Sequence, residues 1–524
     1  MSDDVSGPAM TGTFDARLAP RRAGMDAWPA DRVRREHRHG GLTMSASATD
    51  DGVTRPQALA DLASYPFLSA LTERRTRRVP RGLSVDAGSL SHASSSEPAP
   101  LSRLEEAILI TCVTGITGST THDGPLTGAN GQTELGTPFL NIMGRTASSA
   151  ENAQATHFFM INDDGIFLLR PPKGQRALEL LRSLPRQWGD WTEADWIGVA
   201  DECLVRVSNR RLDFPREWPY FLDRNRRMSN APGTTIFFPV VDCTWQYINA
   251  ILSLLTDPSG MRPVFLDDWR TFHPKNASEW MAKLAGGLGI GQKIPYHPIG
   301  GLDRIRSGYL DTGCQAPLGY GNTLRTDQEA YFHLQNLMLL GQSMGLGGWI
   351  HSAVLAPYIW QQDDAKGWHG LGFRLQEPKR HRSWPPAPAS QANPVGIDGI
   401  LEGLTPPYVS SMDEAVERVI EAKFSASGAA YGNERVFAGP YRSVDDARAF
   451  LERASLPGPE EIAYTKEICN YIWDTYGRFP AHVDAFHTLG TWLQFAHLEQ
   501  DYYERFFDPS HYARQAGHDD LWHG

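Results

Sequence analysis

Cysteine is scarce and scattered. The five residues Cys112, Cys203, Cys243, Cys314 and Cys469 include no Cys-x-x-Cys pair, which argues against a disulfide framework or a thiolate zinc site and points to a reducing cytoplasm. Long apolar runs are also missing. The stretch 107–113 falls far short of the ~20 residues a bilayer span requires, and no charged start followed by an apolar block marks a secretory signal. Positive charge is in deficit, 50 Lys and Arg against 61 Asp and Glu for a formal net charge of −11. A general nucleic-acid binder needs a basic face, so that class is excluded, though a local basic pocket for one phosphate is not. There is no Gly-x-Ser-x-Gly elbow, no His-Glu-x-x-His and no Walker loop. The glycine-rich run 286–291 follows no clear strand, which excludes a Rossmann dinucleotide site. No internal repeat occurs.

What is present is a folded chain, 41% hydrophobic and 21% charged, of a length that suits two or three domains. Residues 1–55 lack apolar periodicity and read as a disordered tail; 89–100 reads as an exposed linker. Leu59, Leu62, Phe67, Leu68 and Leu71 predict one helix over 56–75. Ser102 with Glu105 three residues on predicts a capped helix over 102–113. The segment Asn162-Asp163-Asp164-Gly165 between two apolar runs predicts a β-hairpin. Residues 171–325 are rich in Trp, Pro and Arg and read as an insertion or lid, containing an apolar run at 235–241 and a helix at 244–255. The clearest helix spans 327–344, with Leu334, Leu337, Met338 and Gly341 on one face and glycines at its end. A Pro-rich basic loop covers 375–394. Helices are expected at 411–424, 443–454 and 460–476, then a long aromatic one over 483–507. His482, His487, His497, His511, His518 and His523 gather toward the end of the chain. Their spacing is not that of a helical zinc pair, so they read as partly satisfied packing residues and no metal ligand is assigned.

Three segments carry the chemistry. Arg74-Arg75-Thr76-Arg77-Arg78 offers guanidinium forks and a hydroxyl to a phosphate. The loop from Gly144 through Ser148, Ser149, Asn152 and Gln154 offers hydroxyls and amides ahead of a strand. Gly345, Gly347 and Gly348 end the best helix where a backbone could approach a flat ligand. In this order the segments resemble the nitroreductase superfamily, with its Arg-Arg-Ser-x-Arg-like motif, its Pro-Ser-x-x-Asn-x-Gln loop and its Leu-Gly-Leu-Gly-containing helix end. The strand 165–169 resembles that of the thiazole/oxazole dehydrogenase branch.

The resemblance implies an α+β fold, a nitroreductase-like sheet flanked by helices. Its first half would span 56–170 and its second half 326–375, interrupted by the insertion and followed by a loop and helical C-terminal extension over 376–524. It implies a homodimer with FMN bound by Arg74, Arg75, Thr76, Arg78, Ser148, Ser149, Asn152, Gln154, Gly345, Gly347 and Gly348. It further implies hydride transfer from NAD(P)H to a small nitro, quinone, enone or azoline-type acceptor, chemistry that the cofactor performs and the protein positions. No catalytic side chain is assigned. Ser148 stands where the family commonly has Pro, and Glu151 where it has a small residue. These departures favour the rival reading, a scaffold or binding protein of the same fold without redox activity.

Overall fold

The computed structural model describes residues 55–120, 122, 131, 136–271, 277–288, 299–318, 322–377, 392–484 and 489–523. The expected N-terminal tail and most of the Pro-rich loop lie outside these residues.

The fold is mixed α+β and is organised by an antiparallel sheet. Its strands are β1 (Thr156–Asn162), β2 (Gly165–Leu169), β3 (Leu204–Ser208), β4 (Thr235–Asp242), β5 (Gly347–Leu355), β6 (His482–Asp484) and β7 (Leu489–Ala496). The order across the sheet is β3-β2-β1-β4-β7-β5, with β6 added on β4 beyond β7. β1 and β2 form the expected hairpin, Asn162 facing Gly165. Two strands, β3 and β4, come from the stretch read as an insertion, so that stretch shares the sheet's core.

Both faces of the sheet are covered, which is why its strands read as apolar runs without clean alternation. One face places Phe158, Met160, Phe167, Phe237, Leu493 and Phe495 against helices. These are α1 (Arg55–Ser64), α3 (Arg103–Thr114), α4 (Glu193–Cys203) and α5 (Asn322–Met344), while α2 (Phe67–Glu73) lies against α5 instead of the sheet. The opposite face buries Phe159, Ile161, Ile236, Phe238 and Trp492 under an aromatic layer that includes Phe221, Trp360 and Phe373. A second core, built on the helices 243–255, 412–424 and 459–476, contains Ile248, Leu252, Val416, Ile468 and Ile472.

Two expectations are corrected. The helix expected over 56–75 is two helices, because Pro66 at the break has no N–H to donate and disfavours helical backbone at Tyr65. Of its expected apolar face, Phe67, Leu68 and Leu71 are exposed. The region 483–507 is not one helix but β6, β7 and then the short α6 (Gln500–Phe506). β7 pairs with β4 on one side and β5 on the other, and burial on both faces erased the period that separates strand from helix. After α6 come α7 (Ala513–Ala516) and α8 (His518–Trp522).

Candidate metal centre

The start of α3 folds as its sequence dictates. The Ser102 hydroxyl accepts from the Glu105 N–H, and the Glu105 carboxylate accepts from the Ser102 N–H at 2.6 Å. This capping box uses Oε2 of Glu105 and leaves Oε1 turned into the protein, on a side chain with no exposure. Three histidines meet the carboxylate there, two at Oε1 and one at Oε2. His497, just past β7, places Nε2 at 3.0 Å from Oε1. His518, the first residue of α8, places Nε2 at 2.7 Å from the same oxygen. His523, just past α8, places Nε2 at 3.6 Å from Oε2.

Two of the imidazoles are oriented from behind. Nδ1 of His497 lies 3.2 Å from the Ala99 carbonyl, and Nδ1 of His518 lies 2.8 Å from the Met344 carbonyl. A proton on each Nδ1 leaves the Nε2 lone pair facing the cluster, which is how metal-ligating histidines are commonly set. Gly345 makes the second arrangement possible: it turns at φ +86°, and a Cβ there would crowd the Arg514 carbonyl at 2.9 Å and the His518 ring at 3.3 Å.

The four ligand atoms lie within 4.8 Å of one another. Zinc–ligand bonds of about 2.1 Å in a tetrahedron set ligand atoms roughly 3.4 Å apart, inside the range spanned here. Burial opposes ionisation of Glu105, but the charge of His497, its hydrogen bond at 3.0 Å and the nearby His518 and His523 imidazoles outweigh it and hold the carboxyl well below its usual range. Burial likewise disfavours charge on His497, yet Glu105 raises its pKa. Among the described residues, the buried Nε2 of His518 has no aligned hydrogen-bond partner despite its approach to Glu105. An unaligned close approach suits two ligands aimed at a shared third centre. A cleft of about 380 Å³ reaches His497 and His523 between Arg81, Pro100 and Asp519.

The residues expected to bind FMN fall into two groups. At one end of α5, the Arg77 N–H donates to the Gly348 carbonyl at 3.3 Å, and the Arg78 guanidinium lies 5.9 Å over the Trp349 ring. Arg75 folds back onto the carbonyls of Thr72 and Arg74; Thr76 is exposed. At the other end, Ser149 donates to Glu329 at 2.7 Å. Asn152 donates to the Asn141 carbonyl at 2.5 Å, and Gln154 donates to the Met143 carbonyl; Ser148 is exposed. Glu329 and Gly345 are 16 residues apart along α5, about 24 Å at 1.5 Å per residue. The glycines face their own chain: a Cβ on Gly347 would collide with Leu498, and one on Gly348 would sit 2.9 Å from the Phe495 ring. Within one chain, then, the structure joins the arginine and glycine segments and leaves the Ser148–Gln154 loop apart.

The Glu105 cluster was out of reach of sequence reasoning as a set. Glu105 was visible as a cap, and its second role depends on residues about 400 positions away. The histidines were visible too, but only the packing of α8 against α3 and β7 groups them. His511 stays outside the cluster, its carbonyl accepting from Arg77 at 2.6 Å.

Comparison with known proteins found no matching family model, no matching curated protein and no matching solved structure. Among the described residues no helix is long and apolar enough to cross a membrane.

Proposed function

We propose that this chain is a metalloprotein whose centre, Glu105 with His497, His518 and His523, holds one divalent first-row metal, zinc foremost, and serves metal-assisted hydrolysis of a small substrate. The observation that carries the reading is the convergence of three imidazole Nε2 atoms on one buried carboxylate, two of them anchored at Nδ1 by backbone carbonyls. Three nitrogens and one carboxylate oxygen form a donor set that suits zinc and its neighbours, and the adjoining cleft gives a substrate access. A bound metal would supply a Lewis acid for a carbonyl or phosphoryl oxygen and lower the pKa of a bound water. The protein would fix the ligands and exclude the wrong geometry. Elemental analysis of dialysed protein, with calorimetric zinc titration, tests this. One metal per chain, lost in Glu105→Gln and His518→Ala, is expected; no stoichiometric metal in protein that also fails to take up zinc would overturn the reading.

A second reading is favoured by the contact between Arg77 and Gly348, which joins two of the three nitroreductase-like segments. On this reading the protein is an FMN-dependent oxidoreductase using NAD(P)H, and its flavin lies between two copies of the chain, since one copy does not bring the third segment to the other two. An absorbance spectrum before and after incubation with FMN decides it. A bound-flavin band supports the oxidoreductase, and a colourless protein that takes up no FMN leaves those segments as structural.

A further inference from the structure

The four residues of the Glu105 cluster are not equivalent. The side chains of Glu105, His518 and His497 are 0%, 3% and 5% exposed, whereas that of His523 is 35% exposed. The rings of His497 and His518 are each tied by Nδ1 to a backbone carbonyl; among the described residues no backbone carbonyl ties that of His523. His497 and His518 stand at 3.0 and 2.7 Å from the carboxylate and His523 at 3.6 Å. His518 is further fixed by Trp522, whose ring stacks on it at 15° between planes. His523 follows α8 and borders the cleft. The cluster is thus a rigid set of two histidines and one carboxylate with a third histidine hung over its open side.

That division has a chemical meaning. Two histidines and a carboxylate are sufficient to hold a divalent metal while leaving positions open, and sites that work on substrates keep such a position. Of the four, His523 can leave without unpacking the core, and it borders the cleft, which also reaches the buried His497. Arg81 stands at the same cleft, 3.2 Å from the exposed carboxylate of Asp519, and a guanidinium in so exposed a pair can exchange one anion for another at little cost.

We infer that His523 is a displaceable ligand, covering a coordination position that a small anion takes when it enters from the cleft. The exchange breaks the metal–Nε2 bond and forms a bond from the metal to the anion's donor atom, oxygen or, for azide, nitrogen; no electrons move between metal and ligand, and the freed imidazole stays beside the incoming group. The inference rests on the metal reading above.

The test uses full-length protein loaded with cobalt(II), whose visible spectrum reports coordination number, and azide as the entering anion. Wild type should bind one cobalt per chain, and azide should change its spectrum. His523→Ala should keep one cobalt per chain with affinity reduced less than about tenfold, and should bind azide more tightly than wild type. His518→Ala should lose about 100-fold or more in cobalt affinity, the larger end of what ligand-shell changes cost. His523→Gln, which preserves most of the side chain's volume, should behave as His523→Ala. Equal loss of cobalt in the His523 and His518 variants, or a spectrum in His523→Ala that azide leaves unchanged, would overturn the displaceable role while leaving the metal centre standing. Wild-type protein that binds no cobalt would overturn both.

Discussion

Nε2 of His518 stands 2.7 Å from Oε1 of Glu105, across a gap bridged by no aligned hydrogen bond. The pair sits between the first turn of α3 and the first turn of α8, so a metal there joins two helices that otherwise meet through side-chain packing. A ligand that binds only the folded state stabilises it by mass action, about 2.7 kcal/mol at 100 times its dissociation constant. Zinc at that excess should therefore raise the midpoint of thermal unfolding, and a chelator should lower it again. In Glu105→Gln neither addition should matter. A midpoint in that variant that still follows zinc would place the metal elsewhere.

Ser102 reaches the centre indirectly. Its peptide N–H holds Oε2 of Glu105, and its hydroxyl caps the helix that carries Glu105. Ser102→Ala should cost about 1 kcal/mol of stability in urea unfolding, the usual loss for an N-cap. It should also weaken cobalt binding by roughly tenfold, because the carboxylate becomes less firmly oriented. A cap with no bearing on the centre would show the first effect without the second.

Lys423 sets a pH dependence of its own. It is buried, donates to the carbonyl of Thr137 and to Asn249 at 2.6 Å, and burial pushes its ammonium down to about 7. The folded state therefore binds fewer protons at this group than the unfolded state between pH 7 and the ordinary lysine range near 10.4. Stability must then rise with pH across that window, by at most about 5 kcal/mol from this group. Lys423→Met should flatten the rise. Chemical unfolding of both proteins at pH 6.5 and 9.5 checks it, and parallel slopes would show that the ammonium is not the source.

Gly348 separates the two functional readings. A Cβ there would press on the Phe495 ring at 2.9 Å and the Met338 sulfur at 3.3 Å. Gly348→Ala should destabilise by about 1–3 kcal/mol through overpacking, measured by unfolding in urea without added cofactor. A glycine that also serves a flavin would in addition alter FMN affinity in the folded variant.

Local chemistry was the part of the fold that could be read in advance. The capping box at Ser102 and Glu105, the Asp164-Gly165 turn and the glycine stop at Gly345 are set by residues within a few positions of one another, and each occurs as expected. The strand 489–496 could not be read, because its residues are buried on both faces of the sheet and keep no period. The break at Pro66 was legible in principle, but the leucines on either side masked it. The grouping of Glu105 with His497, His518 and His523 was illegible for a different reason: it is a property of tertiary packing, and each member has a sufficient local explanation as cap, strand end or helix residue.

Glu105 and His497 are 392 residues apart in the chain, and that separation bears on time as well as on stability. Contacts that close so long a loop bring their reward only after the loop entropy has been met. They are therefore expected to be absent from the folding transition state, and interactions absent there act on the escape rate from the native state. Stopped-flow unfolding should accordingly quicken when the metal is withdrawn, while refolding keeps its rate. The centre would then act as a latch, setting how long the finished protein lasts more than how fast it forms.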